Sequence, residues 1–80
     1  MFKYKLSRII FTSQGVLQLS MLNTIDNMLS DNTKDRIEKG NLDLNVYAKI
    51  FKNALSDRTK DFDSSVNAML DDANFVIKLL

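Results

Sequence analysis

Residues 27–36 read Asn-Met-Leu-Ser-Asp-Asn-Thr-Lys-Asp-Arg and residues 53–62 read Asn-Ala-Leu-Ser-Asp-Arg-Thr-Lys-Asp-Phe, one polar cassette written twice, 26 residues apart. Serine, aspartate and threonine hydrogen-bond to nearby backbone, so they favour helix ends and turns over helix interiors. Upstream of each cassette the apolar residues also align, Met21 with Tyr47 and Ile25 with Phe51. The pattern predicts two helices that stop at similar turns, each followed by a new helix, and so a two-fold internal helical repeat. In that reading residues 30–33 and 56–59 are equivalent turns, and Thr33 and Thr59 cap the helices that follow.

With no proline, two glycines and eight asparagines, the chain has few obligatory helix stops and much cap chemistry. The expected class is all-α: a small bundle of three to four helices with short connections, a single domain over residues 1–80. The helices are expected at roughly 3–29, 33–39, 43–56 and 60–79. Gly15 leaves open whether the first segment is one helix or two. Gly40 is expected to end the second helix as a left-handed terminator. Asp43 reads as the N-cap of the third, with Leu42 placed to pack on Tyr47. Because neither glycine nor proline occurs between Asp43 and Leu80, one long helix over that span is the competing possibility.

The clearest period is the last. Phe62, Val66, Met69, Ala73, Val76 and Leu80 step by four, three, four, three and four, the spacing of a coiled-coil seam. Leu70 and Ile77 flank it and widen it to a face suited to several neighbours. The expected core includes Leu17, Ile25, Leu29, Tyr47, Phe51, Leu55, Phe62, Val66, Met69 and Val76. A chain of 80 residues buries only roughly 60% of its unfolded surface, so a homodimer or a complex with another protein is expected as support.

The residue inventory bears on function mainly by exclusion. Without histidine or cysteine the commonest general base, the thiol nucleophile and the usual zinc ligands are missing, and the reading is that the chain is not an enzyme and takes no cofactor. Asp71 and Asp72 are adjacent on a helix and diverge by about 100°. Asp35 and Glu38 make an i, i+3 pair that a solvated helix face explains. The acids from Asp57 to Asp63 lack the alternate spacing, glycine and terminal glutamate of an EF-hand loop.

A net charge of +1 gives no global attraction to nucleic acid or anionic lipid. The start of the chain is basic, with Lys3, Lys5 and Arg8, and with Phe2, Ile9, Ile10 and Phe11 it could lie on a membrane surface, although burial of those apolar residues in the bundle is favoured. Polar interruptions at Ser13, Gln14, Gln18 and Ser20 argue against a signal peptide, and no segment reaches the ~20 apolar residues of a span. A cytoplasmic location is the resulting expectation.

By elimination the expected function is binding. The chain reads as a small non-catalytic interaction module, an adaptor, inhibitor or regulator that occupies a partner's surface, of the size common among products of phages and mobile elements. The candidate contact residues are Lys34, Arg36, Lys49, Lys52, Arg58 and Lys60. The alternative is a nucleic-acid-binding regulator. Residues 33–39, the Gly40-Asn41 turn and the helix from Leu44 outline a helix-turn-helix, with Asn45, Lys49, Lys52 and Asn53 as groove and phosphate contacts. Against that outline, Arg36 stands where a small residue is wanted, and Asp43, Asp57 and Asp61 would repel phosphate.

Overall fold

Side-chain oxygens choose where the helices of this chain begin. The computed structural model describes residues 1–13 and 17–79. Among them are six α-helices, α1 Phe2–Thr12, α2 Leu22–Met28, α3 Asp31–Lys39, α4 Leu44–Ser56, α5 Phe62–Asp71 and α6 Ala73–Leu79, with one 3-10 turn at Leu19–Met21 and no strand. Four of the helix starts carry side-chain caps. Ser30 Oγ accepts the Thr33 N–H at 3.3 Å, Asp43 Oδ1 that of Asn45 at 2.8 Å, Asp61 Oδ1 that of Ser64 at 2.8 Å and Asp72 Oδ1 that of Phe75 at 3.1 Å. Each satisfies one of the N–H groups that a helix start leaves without a partner.

The all-α class therefore holds, but three to four helices become six, because two long expected helices are interrupted. In the first, α1 ends at Thr12, and the buried Ser13 hydroxyl donates to the Ile10 carbonyl at 2.7 Å while accepting the Leu17 N–H at 3.2 Å. The hydroxyl thus competes with helical bonding where the apolar pattern alone suggested continuity. Gln14, Gly15 and Val16 lie outside the described residues. In the second, Asp72 ends α5 and caps α6. Continuous helix from Asp43 to the C-terminus is excluded twice over, by this break and by the turn at Asp57–Asp61.

The internal repeat is matched at one aligned apolar pair and fails elsewhere, for Met21 lies half-buried in the 3-10 turn while its counterpart Tyr47 is buried in α4. Ile25 and Phe51 are both fully buried. Ser30, however, caps α3, whereas its counterpart Ser56 is the last residue of α4. Asp35 sits inside α3 and pairs with Lys39 at 3.1 Å, whereas its counterpart Asp61 caps α5. The expected caps Thr33 and Thr59 cap nothing. Thr33 is in the first turn of α3 and is buried, and Thr59 donates its N–H and hydroxyl to Asp57 Oδ1 at 3.0 and 2.8 Å. One helix starts at the fifth residue of its cassette, Asp31, and the other only at the last, Phe62, so the two turns are not equivalent.

The core forms where α1 crosses α4. Phe2, Leu6, Ile9 and Ile10 project from one face of α1, at the spacing of a helix stripe, onto Val46, Tyr47, Ile50, Phe51 and Ala54 of α4. α2 and α3 close over α1, α5 packs on α4 and α3, and the Phe51 and Phe62 rings lie 6.0 Å apart in a tilted pair. Of the expected core residues, Leu55, Met69 and Val76 are only half-buried. The seam loses burial along its length, from Val66 at 0% exposed through half-buried Met69 to exposed Ala73, because the break at Asp72 turns α6 off the axis on which the seven-residue spacing was drawn. Leu80 lies outside the described residues. The N-terminal stripe, readable as membrane-inserting, is core, with only Phe11 of that set exposed.

Gly40 ends α3 with φ −73° and ψ 154°, an extended conformation that any residue adopts, so it is not a left-handed terminator. Its small size is required by space. A Cβ on Gly40 would overlap the Tyr47 hydroxyl and come within 3.0 Å of the Arg36 carbonyl.

Candidate functional site

α4 and α6 share with α1 one property that sets them apart from α2, α3 and α5. From Leu44 to Ser56 and from Ala73 to Leu79 there is no acidic residue, while Lys49, Lys52 and Lys78 are present. The two helices pack together, and Lys49 Nζ reaches the Leu79 carbonyl at 3.5 Å. Asn45, Lys49, Lys52, Asn53 and Ser56 fall on the solvent side of α4, opposite the buried stripe of Val46, Tyr47, Ile50, Phe51 and Ala54. Beyond the helix end, Arg58 and Lys60 project from the exposed turn into α5.

The six candidate contact residues thus divide into two groups. Lys49, Lys52, Arg58 and Lys60 are exposed and form no ion pair among the described residues. Lys34 and Arg36 are occupied within the fold. Lys34 Nζ pairs with Asp26 at 3.2 Å and lies 6.0 Å from the centre of the Phe2 ring. Arg36 donates to Asn67 Oδ1 at 2.9 Å and to Asp71 Oδ1 at 2.6 Å. The Asn67 amide in turn donates to Thr33 Oγ1 at 2.5 Å, and Asp63 Oδ1 accepts the Ser30 N–H at 2.8 Å, so a polar network fastens α3 to α5. Charge alone did not distinguish the two groups, because ion pairing depends on which helices meet.

Beside the acid-free pair of helices lies an open cleft of about 380 Å³. Its apolar walls are Leu42, Leu70, Ala73, Val76 and Ile77, and Arg36 and Tyr47 supply its polar edge. Sequence reasoning did not name this cleft, although Leu70 and Ile77, the residues that broaden the C-terminal stripe, were its visible signal. The C-terminal helix leaves it open, since no described residue of α6 is buried and Ile77 is 67% exposed. Tyr47 forms the floor. Burial raises its phenol pKa, with a backbone hydrogen bond at Leu42 acting the other way, and the hydroxyl therefore stays protonated across the physiological range. On the far side of its ring Lys5 Nζ sits 5.0 Å from the centroid and donates to the Gly40 carbonyl at 2.7 Å. Loss of hydration lowers the pKa of Lys5 and Arg8 adds to this, while Glu38 opposes it.

In the helix-turn-helix outline the two helices meet mainly at their junction, where Tyr47 of α4 lies against Gly40, since α3 packs chiefly on α1 and α5 and α4 on α1, α5 and α6. No group of three or more acidic residues positioned to hold a metal ion occurs among the described residues. No described helix is long and apolar enough to cross a membrane. Comparison with protein-family models, curated proteins and solved structures finds no match to this chain.

Proposed function

We propose that the chain is a small protein-binding module, an adaptor or inhibitor, and that it engages its partner through the cleft and the lysine-bearing surface of α4 and α6. The observation that carries this reading is the adjacency of an open apolar cleft to an acid-free surface. The cleft offers burial to one or two apolar side chains, at about 1.5–3 kcal/mol each. The lysines then select a partner whose flanking residues are acidic and speed its approach. Lys49, Lys52, Arg58 and Lys60 are the contact residues, while Lys34 and Arg36 hold the surface in shape.

The test is capture of an acidic partner from source lysate by the chain and by a variant carrying Ile77→Asp and Leu70→Asp. A partner retained by the first and lost by the second, with circular dichroism unchanged, supports the module. Equal retention, or none by either, removes it.

The same lysines, with exposed Asn45 and Asn53 between them, give the nucleic-acid reading its one favourable observation. Filter binding over a salt series separates the two, because phosphate contacts produce a steep loss of affinity with salt. Absence of affinity at low salt discards that reading. Self-association is the remaining form of the binding hypothesis, favoured by Tyr4 and Phe11, which are 69% and 74% exposed and seven positions apart on α1. A strict monomer in light scattering at high concentration eliminates it.

A further inference from the structure

On another face of α5, running from Ser65 to Asp72, lies a depression of about 120 Å³ lined by Asp57, Lys60, Ser65, Ala68, Met69 and Asp72. Its floor contains a group that the fold leaves without a partner. Ser65 is 2% exposed, and its Oγ makes no hydrogen bond. A buried hydroxyl left in that state is destabilising, so its retention calls for an explanation. Asp57 is held below the usual carboxylate range chiefly by Thr59, with a weak contribution from Ser65, whose hydroxyl faces it without closing a hydrogen bond.

The two carboxylates at the rim are each half used. Asp57 Oδ1 receives the Thr59 N–H and hydroxyl, and Asp72 Oδ1 receives the Phe75 N–H. The second oxygen of each makes no hydrogen bond. Ser65 Oγ adds a third acceptor, and Met69 and Ala68 give the depression an apolar wall. We propose that this depression binds a primary alkylammonium group, with Asp57, Asp72 and Ser65 accepting its three N–H bonds.

A primary ammonium has three donors and no acceptor, which matches in number the three acceptors that line the depression. The volume accommodates the ammonium and about three methylene-sized groups at about 30 Å³ each, the chain lying on Met69 with its end outside the depression. Calcium fits less well, since it requires six to eight oxygens. Lys60 is a built-in competitor. It leaves the rim with two negative charges and one positive, and its removal doubles the net negative charge that the ligand meets. The ammonium has two sources, the lysine side chain of a partner or a free polyamine, and both use the same three acceptors.

The experiment is an amide NMR titration of the full chain with n-butylammonium chloride, using tetramethylammonium chloride at equal ionic strength as the donor-free control. Saturable shifts confined to residues around Ser65, Thr59 and Ala73, absent with the control, are expected. Ser65→Ala, Asp57→Asn and Asp72→Asn should each weaken binding by about tenfold, the value of one charge-assisted hydrogen bond. Both asparagines keep the oxygen that accepts from the backbone, and Ser65→Ala deletes an unpartnered hydroxyl, so the unfolding midpoint of Ser65→Ala should hold or rise. Lys60→Gln should bind several-fold more tightly, a gain that no loss of structure mimics. In separate arms, a blocked lysine that matches butylammonium identifies a partner's lysine as the source, and preferential binding of 1,4-butanediammonium identifies a polyamine. Absence of saturable shifts, unchanged affinity in Ser65→Ala, or calcium or magnesium saturating the same amides without competition from the amine would overturn the proposal.

Discussion

Tyr47 and Gly40 fit each other as a pair, and neither residue alone explains the other. The phenol occupies the volume in which a Gly40 side chain would stand. Gly40→Ala should therefore destabilise the fold by about 1–3 kcal/mol, the usual cost of overpacking. Tyr47→Phe removes the overlapping hydroxyl, so the double variant should lose less than the sum of the single variants in chemical denaturation. Equal additive losses would show that the hydroxyl is not the obstacle. Asp63 gives a second prediction at this scale. Burial raises its pKa, but hydrogen bonds from Thr33 and Ser30 more than offset this and leave it below the usual carboxylate range. A carboxyl depressed on folding contributes stability that is present above its unfolded pKa and is lost as pH falls through its folded pKa. Asp63→Asn should accordingly be less stable than the parent at pH about 7, with the two converging as the pH falls through the depressed pKa of the folded state. A difference that persists in acid would count against the charge as the cause.

At the scale of the helix, capping was legible in kind more than in position. Asp43 was readable because a lone acid precedes an unbroken amphipathic run, and the structure places it as the cap of α4. The cassettes held several oxygens within a few residues, and local chemistry does not rank them. Ser30 won in one and Asp61 in the other, since α2 stops at Met28, short of Ser30, and α4 runs through the equivalent Ser56. Asp72 was hidden because its neighbours keep perfect heptad spacing, and nothing in an apolar period reports the angle between two helices. Asp72→Ala should cost about 1 kcal/mol, the value of an N-cap, and should act on α6. Hydrogen exchange should lose protection at Val76 and Ile77 while Ile50 and Phe51 keep theirs. Uniform loss across the chain would mean that α6 unfolds only with the whole.

For the whole molecule, the principal axes of 28 × 24 × 24 Å leave room for a single core, and α4 runs through it. Phe51→Ala should destabilise by about 3–5 kcal/mol, a large share of the 5–15 kcal/mol typical of a domain, and should lower the unfolding midpoint in urea accordingly. The helical class was legible from composition and periodicity, and seven of the ten expected core residues are buried. The cleft was not, because it arises where α6 fails to cover Leu42, Leu70 and Tyr47, a property of three segments distant in sequence. The division of the candidate cations was hidden for the same reason, since Asp26 and Asp71 reach Lys34 and Arg36 only through tertiary contacts.

The turn from Asp57 to Asp61 carries Arg58 and Lys60 on exposed backbone, tied by Asp57 to Thr59. Its side chains make no contribution to the core, whereas α4 and α5 on either side meet face to face. This connection is consequently the point at which the polypeptide can be cut with the least structural loss. Under brief trypsin digestion the first scission should fall after Arg58 or Lys60, and the two pieces should co-elute in native gel filtration. The same seam makes the chain a natural split protein, whose halves, expressed separately, reassemble around Phe51 and Phe62.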